Sequence, residues 1–475
     1  MISCEGYATK HVAVVGLGQS GLAAARALCR SGARVLAWDD GEAARAAAKA
    51  EGIPVRDPSQ IDWASQDALV LSPGIPHTYP TPHVAARMAK DAGVPIIGDV
   101  ELLVTSGAQA PRIAITGTNG KSTTTALVGH ILECVDRDAE VGGNLGPAIC
   151  DMAMMEHDGT YVLELSSYQL ELCPSARFKV SVLLNISPDH LDRHGGMHGY
   201  IMAKKRIFRA QGAGDCAIVG VDDENSREIY EELNAINQRV VVGVSCKEAV
   251  DGGVYVEGSN LIDDMMGAPV VVMDLSSLVN LPGQHNAQNI AAAYTVARTM
   301  NIPSDDIVKA IASFPGLAHR QERLDVSGNV TFVNDSKATN AEATAKALSC
   351  YENIYWIVGG RAKDGGLNGL DPFFASVRRA YLIGEAAEDF AVYLDGKVEV
   401  TVCGDLEAAT KAALEDAERE GLDGATVLLS PAAASFDQYR SFEHRGDAFR
   451  SIVEELTNTP SSGGVGQSNM TRGAA

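Results

Sequence analysis

Ile115-Thr-Gly-Thr-Asn-Gly-Lys-Ser-Thr-Thr-Thr125 lies between the apolar run Ile113–Ile115 and the apolar-periodic stretch Ala126–Leu132. The pattern predicts a strand, a glycine-bearing turn with one lysine and a hydroxyl, and then a helix. Such a turn aims several backbone N–H groups and the positive end of a helix at one point, which suits a nucleotide phosphate. The stretch departs from the common phosphate loop, G-x-x-x-x-G-K-[ST], because Ile115 stands where the first glycine belongs. The spacing Gly117-Thr118-Asn119-Gly120-Lys121-Ser122 is therefore a clue to which class of ATP-using protein this is. A plain glycine turn with a solvent-facing lysine is the alternative. The strand-to-helix context favours ATP.

Outward from that loop, strands alternate with helices, which predicts an α/β chain with mainly parallel sheets. The strand His11–Val15 leads into Gly16-Leu-Gly18-Gln19-Ser20-Gly21, an alanine-rich helix Leu22–Arg30, and the strand Ala33–Trp38 with Asp39-Asp40 after it. This is a dinucleotide-binding pattern, G-x-G-x-x-G with a later acid. A further strand, Ala68–Leu71, ends in Ser72-Pro73-Gly74-Ile75-Pro76. The segment, about 100 residues, suits one nucleotide-binding half and not a whole dehydrogenase fold. The middle segment continues with strands at Tyr161–Leu165, Val180–Ile186 and Ala217–Val219. Short β-branched runs at Val254–Val256 and Val270–Met273 predict a small β element. Beyond Phe314-Pro-Gly316 come strands at Val330–Val333, Ile354–Val358, Tyr381–Ile383, Val398–Val402 and Val427–Leu429. Three domains are predicted: Rossmann-like over 1–99, P-loop ATPase-like over 100–316, and Rossmann-like over 317–457. The tail 458–475, without periodicity, is expected to be disordered.

Composition narrows the function. A chain of 475 residues exceeds what one core supports. No stretch approaches the roughly 18 apolar residues of a membrane span, and Met1–His11 has no signal-peptide core, so a cytoplasmic location is expected. A net charge of −22 argues against nucleic acid or anionic membrane as partner. Any phosphorylated ligand must then be gripped by helix N-termini and single cations. Nine cysteines without a C-x-x-C pair fit a reducing compartment, and Cys134 and Cys150 do not read as a redox pair.

Within the loop, Lys121 is placed to contact the β- and γ-phosphates, and Ser122 to offer its hydroxyl to Mg²⁺. Mg²⁺ prefers oxygen ligands, so a carboxylate must stand nearby. Glu164, in Tyr161-Val-Leu-Glu-Leu-Ser-Ser167, interrupts an apolar strand where an unpaired buried carboxylate would be costly. An outward-facing edge glutamate is the alternative, but Ser166, Ser167 and Gln169 point to a polar strand-end site. The next strand ends in Asn185-Ile-Ser-Pro-Asp189-His190-Leu-Asp192-Arg-His194. His190 is the candidate second metal ligand; His194 and His198 read as ordinary loop residues. Zinc does not fit, for want of cysteines or a spaced histidine set.

Gly-Thr-Asn-Gly-Lys-Ser-Thr, Glu-Leu-Ser-Ser-Tyr-Gln-Leu and Asp-His-Leu-Asp-Arg-His, in that order, resemble the ATP-dependent Mur ligase superfamily. Leu281-Pro-Gly-Gln-His-Asn-Ala-Gln-Asn289 and Pro315-Gly-Leu-Ala-His-Arg320 resemble its further signatures, and the likeness is collinear over about residues 10 to 455. The pattern is most similar to the branch that joins D-glutamate to UDP-MurNAc-L-alanine. That likeness is carried by the Gly16-x-Gly18 unit with Ser72–Pro76, by Asn334-Asp-Ser-Lys-Ala-Thr-Asn340, and by Leu429-Ser-Pro-Ala-Ala-Ala-Ser-Phe-Asp-Gln-Tyr439. Folate polyglutamate ligases lack such an amino-terminal domain, and the diaminopimelate-adding branch has a different amino-acid motif.

The resemblance implies an ADP-forming amide ligase of cytoplasmic cell-wall precursor synthesis, acting as a monomer on small molecules. It implies ATP with a pair of Mg²⁺ ions, held by Ser122, Glu164, His190 and a carbamate on Lys204. For ATP it marks Gly117 through Thr123, Asn286 and Asn289, with His319, Arg320 and Asp335 from the third domain. For the uridine-nucleotide substrate it marks Gly18, Gln19, Ser20, Asp39, Ser72, Pro73, Gly74, Asn144 and Ser166. For D-glutamate it marks Thr339, Lys363, Ser435 and Phe442. A dicarboxylate needs a cation and hydroxyl or backbone donors, in keeping with that last set; Arg361 competes with Lys363. Rival readings are another amino-acid ligase of the superfamily, an NAD-dependent oxidoreductase built on Gly16–Gly21 and Asp39, and a non-catalytic nucleotide-binding regulator.

Overall fold

The computed structural model describes residues 1–363 and 365–458, apart from the side chains of Gln284, His285, Asp325, Val326 and Asn458. Asn458 ends the last helix, and the rest of the tail expected to be disordered lies outside the described residues.

The apolar runs at the amino-terminus become β1 (His11–Val15), β2 (Arg34–Trp38), β3 (Ala68–Leu71) and β4 (Ile96–Ile97). They form one parallel sheet in the order β2-β1-β3-β4. β1 and β3 are buried almost throughout, as parallel strands covered by crossover helices are. The helix Gln19–Arg30 starts directly after β1. A Cβ on Gly21 would stand 1.7 Å from the Gly16 carbonyl oxygen, so helix and strand approach this closely only because Gly21 has no side chain.

The central sheet has nine strands: β5 (Arg112–Thr116), β6 (Ala139–Gly143), β7 (Thr160–Glu164), β8 (Val180–Leu183), β9 (Cys216–Gly220), β10 (Val240–Ser245), β11 (Val254–Glu257), β12 (Asn260–Asp263) and β13 (Val270–Asp274). Their order is β13-β12-β11-β10-β9-β8-β5-β7-β6. The runs expected as a small β element extend this sheet: β11 adds in parallel to β10, and β12 and β13 follow antiparallel. β6, Ala-Glu-Val-Gly-Gly, carries no apolar run and is a strand only because it pairs along β7.

The third sheet comprises β14 (Glu322–Ser327), β15 (Val330–Asn334), β16 (Ile354–Gly359), β17 (Val377–Ile383), β18 (Val400–Gly404) and β19 (Thr426–Leu429). The order is β14-β15-β19-β16-β17-β18, parallel except for the antiparallel edge strand β14. Apolar cores cover both of its faces. The protein thus has three mainly parallel α/β domains, packed as two compact units. The first unit spans Met1–Val279 and Gln284–Phe314; the second takes Asn280–Gly283 and the chain from Pro315. The first two sheets share a unit because one apolar core runs from Val12, Val14 and Ala24 to Ile149, Tyr161 and Phe178. No described helix is long and apolar enough to cross a membrane.

Candidate active site

β5 delivers the glycine turn to the helix Lys121–Cys134. Gly120 takes φ +84°, and a Cβ there would stand 2.1 Å from Asn289 Oδ1, so Asn289 packs directly on the turn. Asn289 Nδ2 donates to Asn286 Oδ1 at 3.1 Å. The Thr118 hydroxyl lies 3.1 Å from both the Ser187 carbonyl oxygen and the Tyr200 hydroxyl, and the Asn119 N–H donates to Asn185 Oδ1 at 2.9 Å. Thr123 is buried in the first turn of the helix that Lys121 and Ser122 open.

Two lysines converge on this turn. Lys121 Nζ donates to the carbonyls of Gly117 and Thr118, each at 2.8 Å. Lys204 Nζ donates to the same Gly117 carbonyl at 2.8 Å, from a side chain only 2% exposed. Burial, and then the neighbouring Lys121 ammonium, push the Lys204 amine well below the ordinary lysine range, against a weaker pull from Asp189. Lowered basicity favours the neutral, nucleophilic form of this amine more than an exposed lysine would.

Glu164 ends β7 in register with Ile115 on one side and Gly143 on the other. It is 1% exposed. Asn144 Nδ2 donates to its Oε1 at 2.8 Å, and the Asn144 N–H donates to its carbonyl at 2.9 Å. Its other oxygen, Oε2, is buried without a hydrogen-bond partner among the described residues. An orphaned buried carboxylate oxygen is costly, and a cation would satisfy it. His190 is about half exposed, with φ +50°, and its ring lies 5.3 Å from Tyr168 and 3.5 Å from the Asp189 carboxylate. Among the described residues no group of three or more His, Cys, Asp or Glu forms a ready-made metal cage. The donors fit Mg²⁺, which binds through one or two carboxylates together with phosphate oxygens and water: Glu164 Oε2 and the Ser122 hydroxyl qualify, and Lys204 only once converted to an anion.

His194, expected as an ordinary loop residue, is instead buried in the short helix Leu191–His194. Its Nε2 lies 2.9 Å from the Ser167 hydroxyl, its Nδ1 3.3 Å from Glu171, and its ring stacks on Tyr168 at 5.2 Å. It ties the segment after β7 to the segment after β8, and nothing in its sequence neighbourhood signals that. His198 is exposed in the helix Met197–Lys205. Asp99 was also missed: it is buried at the start of the helix Asp99–Val104, its carboxyl is pushed up by burial, and its Oδ1 accepts from the Val100 N–H at 2.9 Å.

In the first domain Gly18, Gln19 and Ser20 form the N-terminus of the helix Gln19–Arg30. Asp39 accepts from the N–H groups of Leu17 at 2.6 Å and Gly41 at 2.7 Å, so its carboxylate shapes the turn beside that helix. The Ser72 hydroxyl donates to the Gly16 carbonyl at 2.9 Å. Pro73 and Gly74 follow, and the Gly74 carbonyl accepts from Arg193 at 3.0 Å. Gln19 reaches the Gly146 carbonyl in the loop past Asn144, at 3.4 Å. Ser166 caps the helix Ser167–Glu171 in a reciprocal box with Gln169.

In the second unit, the expected ATP and amino-acid residues gather at the carboxyl ends of β15, β16 and β19. Asp335, just past β15, accepts from the Ser430 hydroxyl at 2.8 Å and the Gln321 N–H at 3.2 Å; burial raises its pKa to about 7. His319 is buried beside Asn334 Nδ2 at 3.1 Å, with Arg320 following it. Lys363 Nζ donates to the Thr339 hydroxyl at 3.4 Å, whereas Arg361 pairs with Glu385 at 3.0 Å. Ser435 is buried. Lys337 stands 3.7 Å from the centre of the Phe442 ring. Arg445, 1% exposed, donates to the Ser336 hydroxyl and to the carbonyls of Ser336, Gly359 and Ala433, pinning three strand-end loops together. Lys337 and Arg445 both escaped the sequence reading.

Comparison with known proteins bears on this arrangement. Residues 115–297 match the model of the Mur ligase middle domain, and residues 10–98 that of the Mur ligase MurD-like N-terminal domain. The UDP-N-acetylmuramoylalanine--D-glutamate ligase of Caulobacter sp. strain K31 is 51% identical over 462 residues, covering 96% of this chain and 98% of that protein. The protein of the same name from Rhodospirillum rubrum is 50% identical over 458 residues, covering 95% and 96%. Among solved structures, the UDP-N-acetylmuramate-alanine ligase of Thermotoga maritima superimposes with a TM-score of 0.57 at 17% identity, over 94% of this chain and all of that one. That likeness speaks to the fold alone, and the sequence relatives speak to descent. With its two lysines on one turn and Glu164 on the adjoining strand, the chain belongs to the Mur ligase family.

Proposed function

We propose that this protein is an ATP-dependent ligase that joins D-glutamate to UDP-MurNAc-L-alanine through an acyl phosphate, in peptidoglycan precursor synthesis. The observation that carries the reading is the convergence of Lys121 and buried Lys204 on the Gly117 carbonyl, beside the strand that ends in the half-satisfied Glu164. The domains at 1–99, 100–316 and 317–457 are assigned to the uridine nucleotide, ATP and the amino acid in turn.

Lys121 turns from the loop carbonyls toward the β- and γ-phosphates when ATP enters. The N–H groups of the turn and of the helix N-terminus cradle the phosphates. Mg²⁺, when bound there, would supply neutralisation of the charge on the transferred phosphoryl group. Glu164, oriented by Asn144, would hold it, together with Ser122 and His190; Lys204 would contribute once CO₂ had added to its neutral amine, with loss of a proton, to give a carbamate. The substrate's terminal carboxylate attacks the γ-phosphorus and ADP departs. The D-glutamate amine then attacks the acyl carbon, and phosphate leaves from the tetrahedral intermediate. Lys363 and Thr339, with Ser435 and Phe442, hold the amino acid; Arg361 is committed to Glu385 and is the weaker candidate. The chain acts as a monomer in the cytoplasm.

The test is phosphate release from ATP with UDP-MurNAc-L-alanine, with and without D-glutamate. Release should depend on the amino acid and should fall sharply for the L-enantiomer. Equal release without the amino acid would sink the ligase reading.

A further inference from the structure

Gln288 lies on the helix Gln284–Thr299, with its side chain only 6% exposed. Its Nε2 donates to Asp222 Oδ2 at 2.7 Å, and its Oε1 accepts from Asn185 Nδ2 at 3.0 Å. Asn185 in turn clamps the phosphate loop: its Oδ1 accepts from the Asn119 N–H at 2.9 Å and its Nδ2 reaches the Asn119 carbonyl at 3.3 Å. Its own carbonyl accepts from the Thr118 N–H at 2.9 Å. Space for the Gln288 amide comes from Gly220, where a Cβ would stand 2.8 Å from Gln288 Nε2.

An ionised carboxylate only accepts hydrogen bonds, whereas an amide can present either end. Asp222 is fixed by further donors, the Ser245 hydroxyl at 2.6 Å and the Cys246 N–H at 3.0 Å. It therefore compels Gln288 to turn its NH₂ toward it and its oxygen toward Asn185. That compels Asn185 to keep Oδ1 on the Asn119 N–H. A reversed Asn185 would set donor against donor at the loop. We propose that Asp222 and Gln288 are positioning residues for ATP: a carboxylate outside the loop sets the polarity of two successive amides and so holds the Asn119 peptide. Neither touches the reacting atoms. The charged groups around Asp222 are Lys247, whose Nζ donates to the Asp222 carbonyl at 2.9 Å, Asp223, which caps the helix Glu224–Ile236, and Arg227, which pairs with Glu248 and the Val221 carbonyl.

The test reads polarity. Gln288→Glu sets a carboxylate against Asp222, so the pair must share a proton or repel. The KM for ATP should rise about tenfold at pH 8, the cost of one misplaced buried hydrogen bond, and should fall back as the pH is lowered. Combining Gln288→Glu with Asp222→Asn lets the new amide donate to the new carboxylate. That double variant should recover a near wild-type KM without the added pH dependence. The KM for the uridine nucleotide substrate and the melting temperature serve as controls. A Gln288→Glu enzyme with wild-type ATP KM at every pH would overturn the proposal. So would a defect spread over all substrates that Asp222→Asn fails to rescue. The inference rests on the loop being the ATP site. If that assignment itself were wrong, Lys121→Ala would leave ATP turnover intact, an outcome distinct from either.

Discussion

Lys204 is the residue at which burial and chemistry pull hardest against each other. An ammonium at 2% exposure, sharing a carbonyl with Lys121, is disfavoured on both counts. A lysine whose folded pKa is lowered costs stability at every pH below it, and the cost is relieved only as the pH rises toward the unfolded value. Lys204→Met, in CO₂-depleted buffer at neutral pH, should therefore melt at or above the wild-type temperature while losing nearly all activity. A large drop in melting temperature would mean that the amine's hydrogen bond outweighs its burial. Lys204→Ala should lose at least about 100-fold in kcat, as expected when a group serving the transition state is removed. Added formate or acetate should restore part of that rate if an anion is what the site needs; full activity without rescue would end the carbamate proposal. Asp335 gives the opposite pH signature. Its folded pKa, about 7, lies above the unfolded value, so the folded state binds the extra proton and stability falls as pH rises from about 4 to about 7. Asp335→Asn should flatten that slope, which amounts to a few kcal/mol at most, in denaturant titrations across the window. An unchanged slope would show that Asp335 ionises normally.

At the scale of elements, the strand-to-helix turns do the positioning, and their glycines have different reasons. Gly21 matters through contact, since an added methyl would stand 1.7 Å from the Gly16 carbonyl oxygen. Gly120 matters through its left-handed φ and through Asn289, 2.1 Å from any added Cβ. Gly21→Ala should destabilise the protein by about 2 kcal/mol or more, because the helix must lift off β1. Gly120→Ala should raise the KM for ATP at least about tenfold, by displacing Asn289 and straining the turn. Urea midpoints and ATP titrations of both variants separate the two effects; equal loss of ATP affinity in both would contradict this division. Strands with strong apolar runs, such as β1, β3 and β8, were legible from sequence because burial on both faces demands those runs. β6 was not, because a Glu- and Gly-bearing edge strand owes its conformation to β7. His194 was illegible for a related reason: its partners, Ser167, Glu171 and Tyr168, come from another segment of the chain.

For the whole molecule, a net charge of −22 sets a repulsive field for ligands that are all anions. Salt screens that field over about 10 Å at 0.1 M, while charges buried at the site are screened far less. Association of ATP and of the uridine nucleotide, followed by stopped-flow binding, should accelerate as salt is raised from low ionic strength. A steep slowing would instead reveal a local cationic funnel that outweighs the net charge. The sequence by itself determined the alternation of strands and helices and the strand–turn–helix at Gly117–Ser122, and it singled out Lys121, Ser122 and Glu164 as candidates, because these depend on short-range pattern and on residue types with few alternative uses. Tertiary structure alone decided that β10–β13 extend the central sheet, that the first two sheets share one core, and that Lys204 meets Lys121 on one carbonyl. It also decided that Asp222, Gln288, Asn185 and Asn119 form one polar chain. Those outcomes depend on which strands become neighbours and on which groups lose their water, and no local stretch of residues encodes either.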